Sequence, residues 1–495
     1  MKATKKVQTF GLALGLVLLF GRGAAATIYN WQTGEVIPGT EGITPQPGVD
    51  LSYWNTSSHN LWYGDFRSTD LSGSWFDYSW LNHAHFGGAK LTGACLRYAT
   101  LLLADLSGAD LTWAVFWNAT LREANLTGAD LTHADLYQAS LSEACLWHAN
   151  LTMAHLEQAT LSEANLSGAI LTGAKLSGAY LGYANLSGAT LTSADLYQAR
   201  LPVANLSGAN LLWADLTSAY LSEATLTGAN LTNATVKGAN FGYTTFSGFT
   251  KEQLYSTASW KAKDLTGIVL RGNNLSGWNL AGQNLTSAYL DSATLTGANL
   301  ISANLTSATL TSADLTLADL RKAQGASLGA AITRNTILPD GTVAGLNLLA
   351  GDTLIVRNCD LAVAVQNAMT LDAASVVKML LLEGDWGSTV TTASGVVPDL
   401  GGTLYLGFAA GIDPGTLVGQ TFDIFNWSEP LEAGNRFDDV RSEAWASWDS
   451  GALYTTGEVT LVAVPEPAAL SLLALGGLGV LCRRSRSKES IGRAP

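Results

Sequence analysis

The stretch "ADLTHADLYQA", Ala129 to Ala139, sets leucines at 131 and 136 and alanines at 129, 134 and 139. A period of five fits neither a regular helix nor a regular strand. Five helical residues advance about 500°, a net ~140°, so successive leucines scatter around a helix axis. On a straight strand an odd period sends alternate leucines to opposite faces. A single core forms only if the chain bends once every five residues. In each unit, leucine at the centre and the residue two before it share a strand face, so leucine and alanine both point inward. The residue between them points outward. The two positions after leucine are mostly Ser or Thr, then Gly, Glu, Ser or Gln, types suited to a turn. Four units close a roughly square coil of about twenty residues, and coils stack by parallel backbone pairing. The winding is expected to be right-handed, as parallel crossovers are.

The pattern is long. From Leu61 to Phe246 every fifth residue is Leu, Phe or Val, 38 in succession, and from Ala84 to Ala239 the inward position before it is alanine in all 32 units. "ANLSGA" at Ala164–Ala169 and "ADLTSA" at Ala214–Ala219 carry the same arrangement. On these residues the chain resembles the pentapeptide-repeat family, whose A-(D/N)-L-x-x units build a right-handed quadrilateral β-helix. The resemblance implies an all-β fold, a right-handed quadrilateral parallel β-helix with a short helical insert and a C-terminal β-rich segment.

The segments follow from where the period holds. Residues 27–60, rich in Trp, Gly and Pro, are expected to cap the N-terminal end, because an open coil is an adhesive β-edge. Phe66, Phe76 and Phe86 are expected to fill widened first coils. The first repeat run covers 61–249. The insert 250–264 breaks the phase and carries Thr250-x-x-Gln253, a capping-box pattern, so a short helix is expected over 251–262. A second run, 265–324, has twelve leucines from Leu265 to Leu320, with Lys263, Asn273, Trp278 and Gln283 replacing alanine at its start. At about 4.8 Å per coil, the two runs predict a rod near ~60 Å long. In 325–463 the period stops. "TLIVRN", "GTLYLGF", "TFDIFNW" and "GEVTLVAV" are β-rich runs between Gly, Pro and Asp, expected to cap or extend the solenoid; a separate sandwich is the alternative. "DWGSTV" and "LVGQTFDIFNW" resemble segments that follow β-helical passenger regions in other exported bacterial proteins, which implies position rather than activity.

Both ends read as addresses. Residues 1–26 begin with Lys2, Lys5 and Lys6, continue through an apolar stretch from Phe10 to Phe20, and offer small residues at Ala24 and Ala26. They are expected to act as a signal peptide cleaved after Ala26. Residues 464–495 carry Pro465, Glu466 and Pro467, about fifteen mostly apolar residues, and then Arg483, Arg484 and Arg486. The apolar stretch is short for a bilayer span, and the arginines favour the cytoplasmic side. This order is similar to the PEP-CTERM sorting signal of exported bacterial proteins. The resemblance implies processing by an exosortase-type membrane protease, transient membrane contact through the apolar segment, and a body at the cell surface or outside the cell. Residues 1–26 and 468–495 hold nine basic residues and one acidic residue, so residues 27–467 keep 18 basic and 39 acidic side chains, a net charge of −21. Such a surface repels nucleic acid and anionic lipid.

Residues twenty apart stack on a four-sided coil, so the sequence doubles as a surface map. Glu123, Glu143 and Glu163 form a column whose carboxylates, ~4.8 Å apart, repel one another; Ca²⁺ is the ion they would hold. The alternative is a copied repeat unit screened by solvent. Asn165, Asn185 and Asn205 form a hydrogen-bonding ladder with Asn125 further down. Trp117, Tyr137 and Tyr197 share an outward column suited to stacking on sugars, Tyr180 and Tyr220 another, Trp113 and Trp213 a third. His83, His85, His133, His148 and His155 include no pair twenty apart, and Cys95 and Cys145, fifty apart, lie on opposite sides where no disulfide can close. No H-E-x-x-H or phosphate-loop motif occurs.

These features favour an exported, non-catalytic structural or interaction protein of the cell surface or of an extracellular polysaccharide matrix. The PEP-CTERM resemblance implies the export machinery and the processing protease as partners. An acidic DNA mimic that inhibits a topoisomerase, as some pentapeptide-repeat proteins do, fits the charge but not a signal peptide. A polysaccharide-degrading β-helix enzyme would need carboxylates clustered on one face, and only the Glu123 column offers them.

Overall fold

The structure, a computed structural model, describes residues 27–464 apart from 57–58, 382–385, 410, 429–430, 433 and 444. The predicted signal-peptide residues Ala24 and Ala26, and the sorting residues Pro465, Glu466, Pro467, Arg483 and Arg484, lie outside the described residues. The chain divides into two compact units, Met1–Asn165 and Leu166–Pro495.

In the first unit each five-residue segment folds as its sequence predicts. Leu131 and Leu136, Ala129, Ala134 and Ala139 are all fully buried. The Ala134 amide donates to the Leu131 carbonyl at 2.9 Å, closing a turn over Thr132 and His133. His133 has φ 59, the sign a type II turn requires at its third residue. The next coil is reached by parallel bonds, from Leu131 N to Asn150 O (2.7 Å) and from Asp130 N to Ala109 O (2.9 Å). Bridges repeat at a spacing of twenty, as in Asp110↔Asp130 and Asp130↔Asn150, so each coil has four sides. Burying each leucine stabilises the stack by about 1.5–3 kcal/mol. At the N-terminal side an antiparallel hairpin bridges Tyr29 to Val36 and then Asn30 to Gly64. Its Ile28 and Ile37 are buried. A short ribbon pairs β1 (Asn55–Thr56) with β2 (His59–Asn60). Phe66, Phe76 and Phe86 fill the first coils: Phe66 and Phe86 stack at 4.7 Å, and Phe76 meets both edge-on.

The second unit opens with the same four-sided coil, up to the bridge Tyr220↔Asn240. Asn240 then pairs with Val269, 29 residues on rather than 20. The run of buried centres ends at Phe241, not at Phe246 as the period predicts. Thr245–Ser247 form a 3-10 turn and Gly248 follows at φ 90, so Phe246 points out and is 76% exposed. Phe249 takes the core position and stacks on Phe241 at 4.7 Å. The expected single helix is two, α1 (Lys251–Ser256) and α2 (Ala258–Lys261). Thr257 separates them because it is extended and its hydroxyl accepts from the Trp260 amide at 3.1 Å, starting a second N-terminus. The capping box is formed: the Gln253 amide donates to Thr250 Oγ1 at 3.3 Å, and the Thr250 amide to Gln253 Oε1 at 2.9 Å. The larger residues that replace alanine explain the detour. Asn273 is buried and its Nδ2 donates to the Phe241 carbonyl at 2.7 Å, while Trp278 packs on Phe249.

The coil continues beyond the repeats and changes cross-section. Asp314 pairs with Ile332 and Asp319 with Ile337, both in parallel. The strands β3 (Thr342–Val343), β4 (Leu346–Leu348) and β5 (Thr353–Arg357) form three sides of one turn. β6 (Val363–Val365), β7 (Met369–Leu371) and β8 (Val376–Leu381) stack on them in order, each parallel to its predecessor. β9 (Val390–Thr392) and β10 (Thr403–Phe408) add a third turn, with Asp399 bridged to Thr370 on the remaining side. β12 (Phe425–Asn426) and β13 (Asp439–Ser442) add part of a fourth. β11 (Thr421–Asp423), β15 (Glu458–Ala463) and β14 (Ser447–Asp449) form an antiparallel sheet. Stacked parallel strands make this segment an extension of the solenoid rather than a sandwich of antiparallel sheets.

Where four sides give way to three, Arg321 and Asp319 are completely buried. Arg321 Nε and Nη2 donate to the two Asp319 oxygens at 3.0 and 2.7 Å. Its remaining hydrogens reach Leu361 O (2.8 Å), Arg357 O (2.7 Å) and Ser388 Oγ (2.7 Å). One side chain thereby ties the last repeat to three positions of the new coil. Arg357 lies close by, and burial pushes its guanidinium down from the usual arginine range, with the Asp319 charge opposing that shift.

Candidate functional site

Five-residue geometry leaves three outward positions per unit, and the third residue of the turn projects furthest. In the first unit these corner residues form columns along the coils. One column begins with Tyr53, Tyr78 and Tyr98. Their rings stack at 5.1 and 4.8 Å with interplanar angles of 9° and 4°. Those spacings match the strand spacing of a β-sheet, so the backbone pitch sets the ring stack. Gln138 and Gln158 lie further along the same column, with Gln138 Nε2 donating to Gln158 Oε1 at 2.8 Å. The neighbouring column holds Asp77, Arg97, Trp117 and Tyr137. Arg97 grips Asp77 through Nη2 at 2.6 Å and Nε at 3.2 Å, and donating to the Asp77 carboxylate holds its guanidinium still more firmly protonated. Trp117 and Tyr137 are exposed on successive coils, as the backbone bond from Asn118 N to Tyr137 O shows.

Stacked rings cover one another's faces and present their edges and hydroxyls to solvent. The tyrosine ladder therefore offers a row of phenol groups rather than a row of open platforms. Sequence reasoning missed Tyr78 and Tyr98 although, twenty apart, they fall within its twenty-residue map; Tyr53 was hidden because it is 25 residues from Tyr78, on a coil one unit longer, as the bridge Asp50↔Trp75 records.

The acidic column is also on corners. Glu123, Glu143 and Glu163 have φ of 58, 62 and 57. Arg122 reaches Glu143 with Nη2 at 2.8 Å and Glu123 with Nε at 3.5 Å, so a guanidinium already sits between the first two carboxylates. Among the described residues, no group of three or more His, Cys, Asp or Glu is placed to hold a metal ion.

Elsewhere in this unit Trp113 stacks on His133 at 4.1 Å. His85 Nε2 faces Asp105 Oδ2 at 3.1 Å. Asp65 is held below the usual carboxylate range by its side-chain bond from Arg67. Cys95, Cys145 and Cys359 are free thiols. In the second unit Tyr197 is exposed and its hydroxyl accepts from Gln198 Nε2 at 3.2 Å. Tyr180 and Tyr220 do not form a pair of platforms: Arg200 lies on the coil between them, 5.6 Å from the Tyr180 ring centre. One rung of the predicted asparagine ladder is formed there, with Asn205 Nδ2 donating to Asn185 Oδ1 at 3.2 Å. No helix among the described residues is long and apolar enough to cross a membrane.

The Pentapeptide repeats family matches in eight copies, within residues 69–242 and 264–322. The PEP-CTERM protein-sorting motif matches residues 463–487. The chain is therefore a pentapeptide-repeat protein that carries a PEP-CTERM sorting motif. No curated protein matches it. Among solved structures, HetL, a pentapeptide repeat protein involved in heterocyst differentiation regulation in the cyanobacterium Nostoc, is 34% identical. That match covers 53% of this chain and 91% of HetL, with a TM-score of 0.18. Rfr23, a pentapeptide repeat protein from the cyanobacterium Cyanothece, is 32% identical over 23% of this chain and 83% of its own, with a TM-score of 0.16. QnrB1, a plasmid-mediated fluoroquinolone resistance protein, is 21% identical over 42% of this chain and 92% of its own, with a TM-score of 0.25.

Proposed function

We propose that the protein is exported and acts without catalysis, as a structural or interaction component of the cell surface or of an extracellular polysaccharide matrix. The observation that carries this reading is the union, on one chain, of a long repeat solenoid with a sorting motif. The motif supports export, processing by an exosortase-type protease and a passing membrane attachment. The solenoid supports a role in presentation, since its inward residues make one core and its corner residues project side chains at a fixed pitch. Trp117, Tyr137 and Tyr197 are the exposed rings proposed to meet polysaccharide. Glu123, Glu143 and Glu163 remain a candidate Ca²⁺ column only in competition with Arg122.

Fractionation of the producing cell, with mass spectrometry of both mature termini, tests the reading. The expected result is a surface or extracellular protein beginning at residue 27 and shortened near Pro465–Pro467. A cytoplasmic protein with both ends intact would overturn it.

A further inference from the structure

We propose that the N-terminal hairpin and the first coil form a binding cleft for a neutral sugar chain. This deepens the surface role proposed above and rests on it for its biological setting. The cleft has a volume of about 450 Å³ and is lined by Asn30, Glu35, Ile37, Asn60, Trp62 and Tyr63, among others. That size falls within the range of small-ligand pockets, about 300–1,000 Å³.

The cleft is held in shape by the backbone. The hairpin is closed by Asn30 N to Glu35 O at 2.8 Å and Ile37 N to Ile28 O at 2.9 Å, and it joins the coil through Asp65 N to Tyr29 O at 2.8 Å. Trp31 Nε1 donates to the His83 carbonyl at 2.7 Å, pinning the hairpin from the other side. A preformed site loses little ordering entropy on binding.

Its chemistry selects the ligand. Trp62 is stacked on Trp80 at 5.7 Å, yet the residue is still 40% exposed and lines the cleft, so one indole surface is available there. Tyr63 cannot serve as a second platform, because His83 covers its ring at 4.7 Å and Trp31 closes on it at 6.1 Å. One open ring suits the flat C–H face of a pyranose, whereas a quaternary ammonium group favours a cage of several rings. Asn30 Oδ1 is taken by the Gln32 and Thr33 amides at 2.8 and 3.1 Å, so its Nδ2 is the donor it can offer. Glu35 is the one charged side chain in the lining and makes no ion pair among the described residues. Its carboxylate accepts hydrogen bonds from hydroxyl groups. With no cation in the wall, phosphate, sulfate and uronate ligands meet an unpaired negative charge.

Titration of the purified full-length protein with neutral glucan, galactan, mannan and xylan oligosaccharides tests the proposal. Polygalacturonate and tetramethylammonium serve as the anionic and cationic probes. At least one neutral series is expected to bind and to change tryptophan fluorescence. Trp62→Ala is expected to weaken that binding at least tenfold and Glu35→Gln several-fold, while Tyr183→Ala, at an exposed ring that does not line the cleft, leaves it unchanged. Trp62→Phe, which keeps a ring, is expected to retain most of the affinity and controls for loss of fold. The proposal fails if no neutral series binds, if only the anionic or cationic probe binds, or if Trp62→Ala binds as the parent does. Loss of sugar binding in Tyr137→Ala but not in Trp62→Ala would sink the cleft and leave the surface reading standing. A cytoplasmic location alongside intact binding would do the reverse.

Discussion

Replacing Arg321 by methionine tests the joint between the two cross-sections. In the folded protein Arg321 and Asp319 are wholly buried. The guanidinium makes two bonds to Asp319, two to backbone carbonyls and one to Ser388. Ser388 keeps other partners, since its single hydroxyl hydrogen points to Arg357 O, the nearer of two carbonyls in reach, and its oxygen accepts from Cys359 N. Arg357 O keeps that bond too. What the substitution strands is Asp319 Oδ2 and the Leu361 carbonyl, while Asp319 Oδ1 keeps the backbone amide of residue 321 at 3.2 Å. Leaving one member of a buried pair costs about 3–5 kcal/mol. The Arg357 guanidinium, near enough to feel the Asp319 charge, offsets part of that, so a loss of about 3 kcal/mol is expected. Repeat solenoids couple mainly to nearest neighbours, so the loss should fall on the segment after residue 321 and spare the first coils. Urea unfolding gives the size, and amide hydrogen exchange gives the place: faster exchange in β5, β8 and β10, unchanged exchange near Leu131. The double change Asp319→Asn with Arg321→Met removes both charges and should recover more than half of the loss. A single variant within 1 kcal/mol of the parent, or a double variant worse than the single, would refute the idea that charge pairing rather than packing holds the joint.

Leu136→Ala should cost about 2.7–5 kcal/mol, read as a lowered unfolding midpoint, because the inward column leaves no room for collapse. Gly248→Ala should destabilise the insert by ~2 kcal/mol or more, since Gly248 has φ 90 and an added Cβ would meet Thr227; a normal thermal midpoint would count against it. Glu163→Gly should be neutral or stabilising by up to ~1 kcal/mol, because it frees a corner held at φ 57. If Ca²⁺ raises the parent's midpoint and this variant loses that rise, the column is an ion site after all. Burial, and then the Glu458 charge across the sheet, pushes the Asp423 carboxyl up. The folded state thus takes up a proton at a pH where the unfolded chain has lost it. Stability should fall as pH rises from the ordinary carboxylate range through the raised value, and Asp423→Asn should flatten that slope.

The repeat coil could be read from the chain because its information is local. Each Ala-x-Leu reports an inward pair and each following pair reports a turn, so one unit predicts the next. Phe246 shows the limit. It keeps the period yet faces solvent, because Gly248 lets the chain detour and Phe249 competes for the same space. The three-sided coil was hidden for a related reason. Its turns begin at Thr342, Val363, Val390 and Phe425, so their lengths differ and no period marks them; the β-rich runs were visible, their stacking was not. Glu123, Glu143 and Glu163 occupy corners of successive coils, but Arg122 belongs to the adjacent outward column, and only side-chain reach brings it between the first two. The cleft beside Trp62 joins residues of the hairpin and the first coil, a pairing that depends on the Asn30↔Gly64 bridge rather than on any motif.

The corner residue of each turn has one further consequence. It is held left-handed, a conformation that disfavours everything except glycine, and yet tyrosine, histidine, tryptophan, glutamine and glutamate all occupy it. The core positions admit almost no variety, whereas the corner admits nearly any side chain for a modest and similar loss of stability. The coil therefore works as a graduated rail: its spacing is fixed by the backbone, and its fittings can be exchanged one at a time. Placing one residue type at every twentieth position would line up identical groups about 4.8 Å apart, a ruler on which the distance dependence of multivalent surface binding could be measured directly.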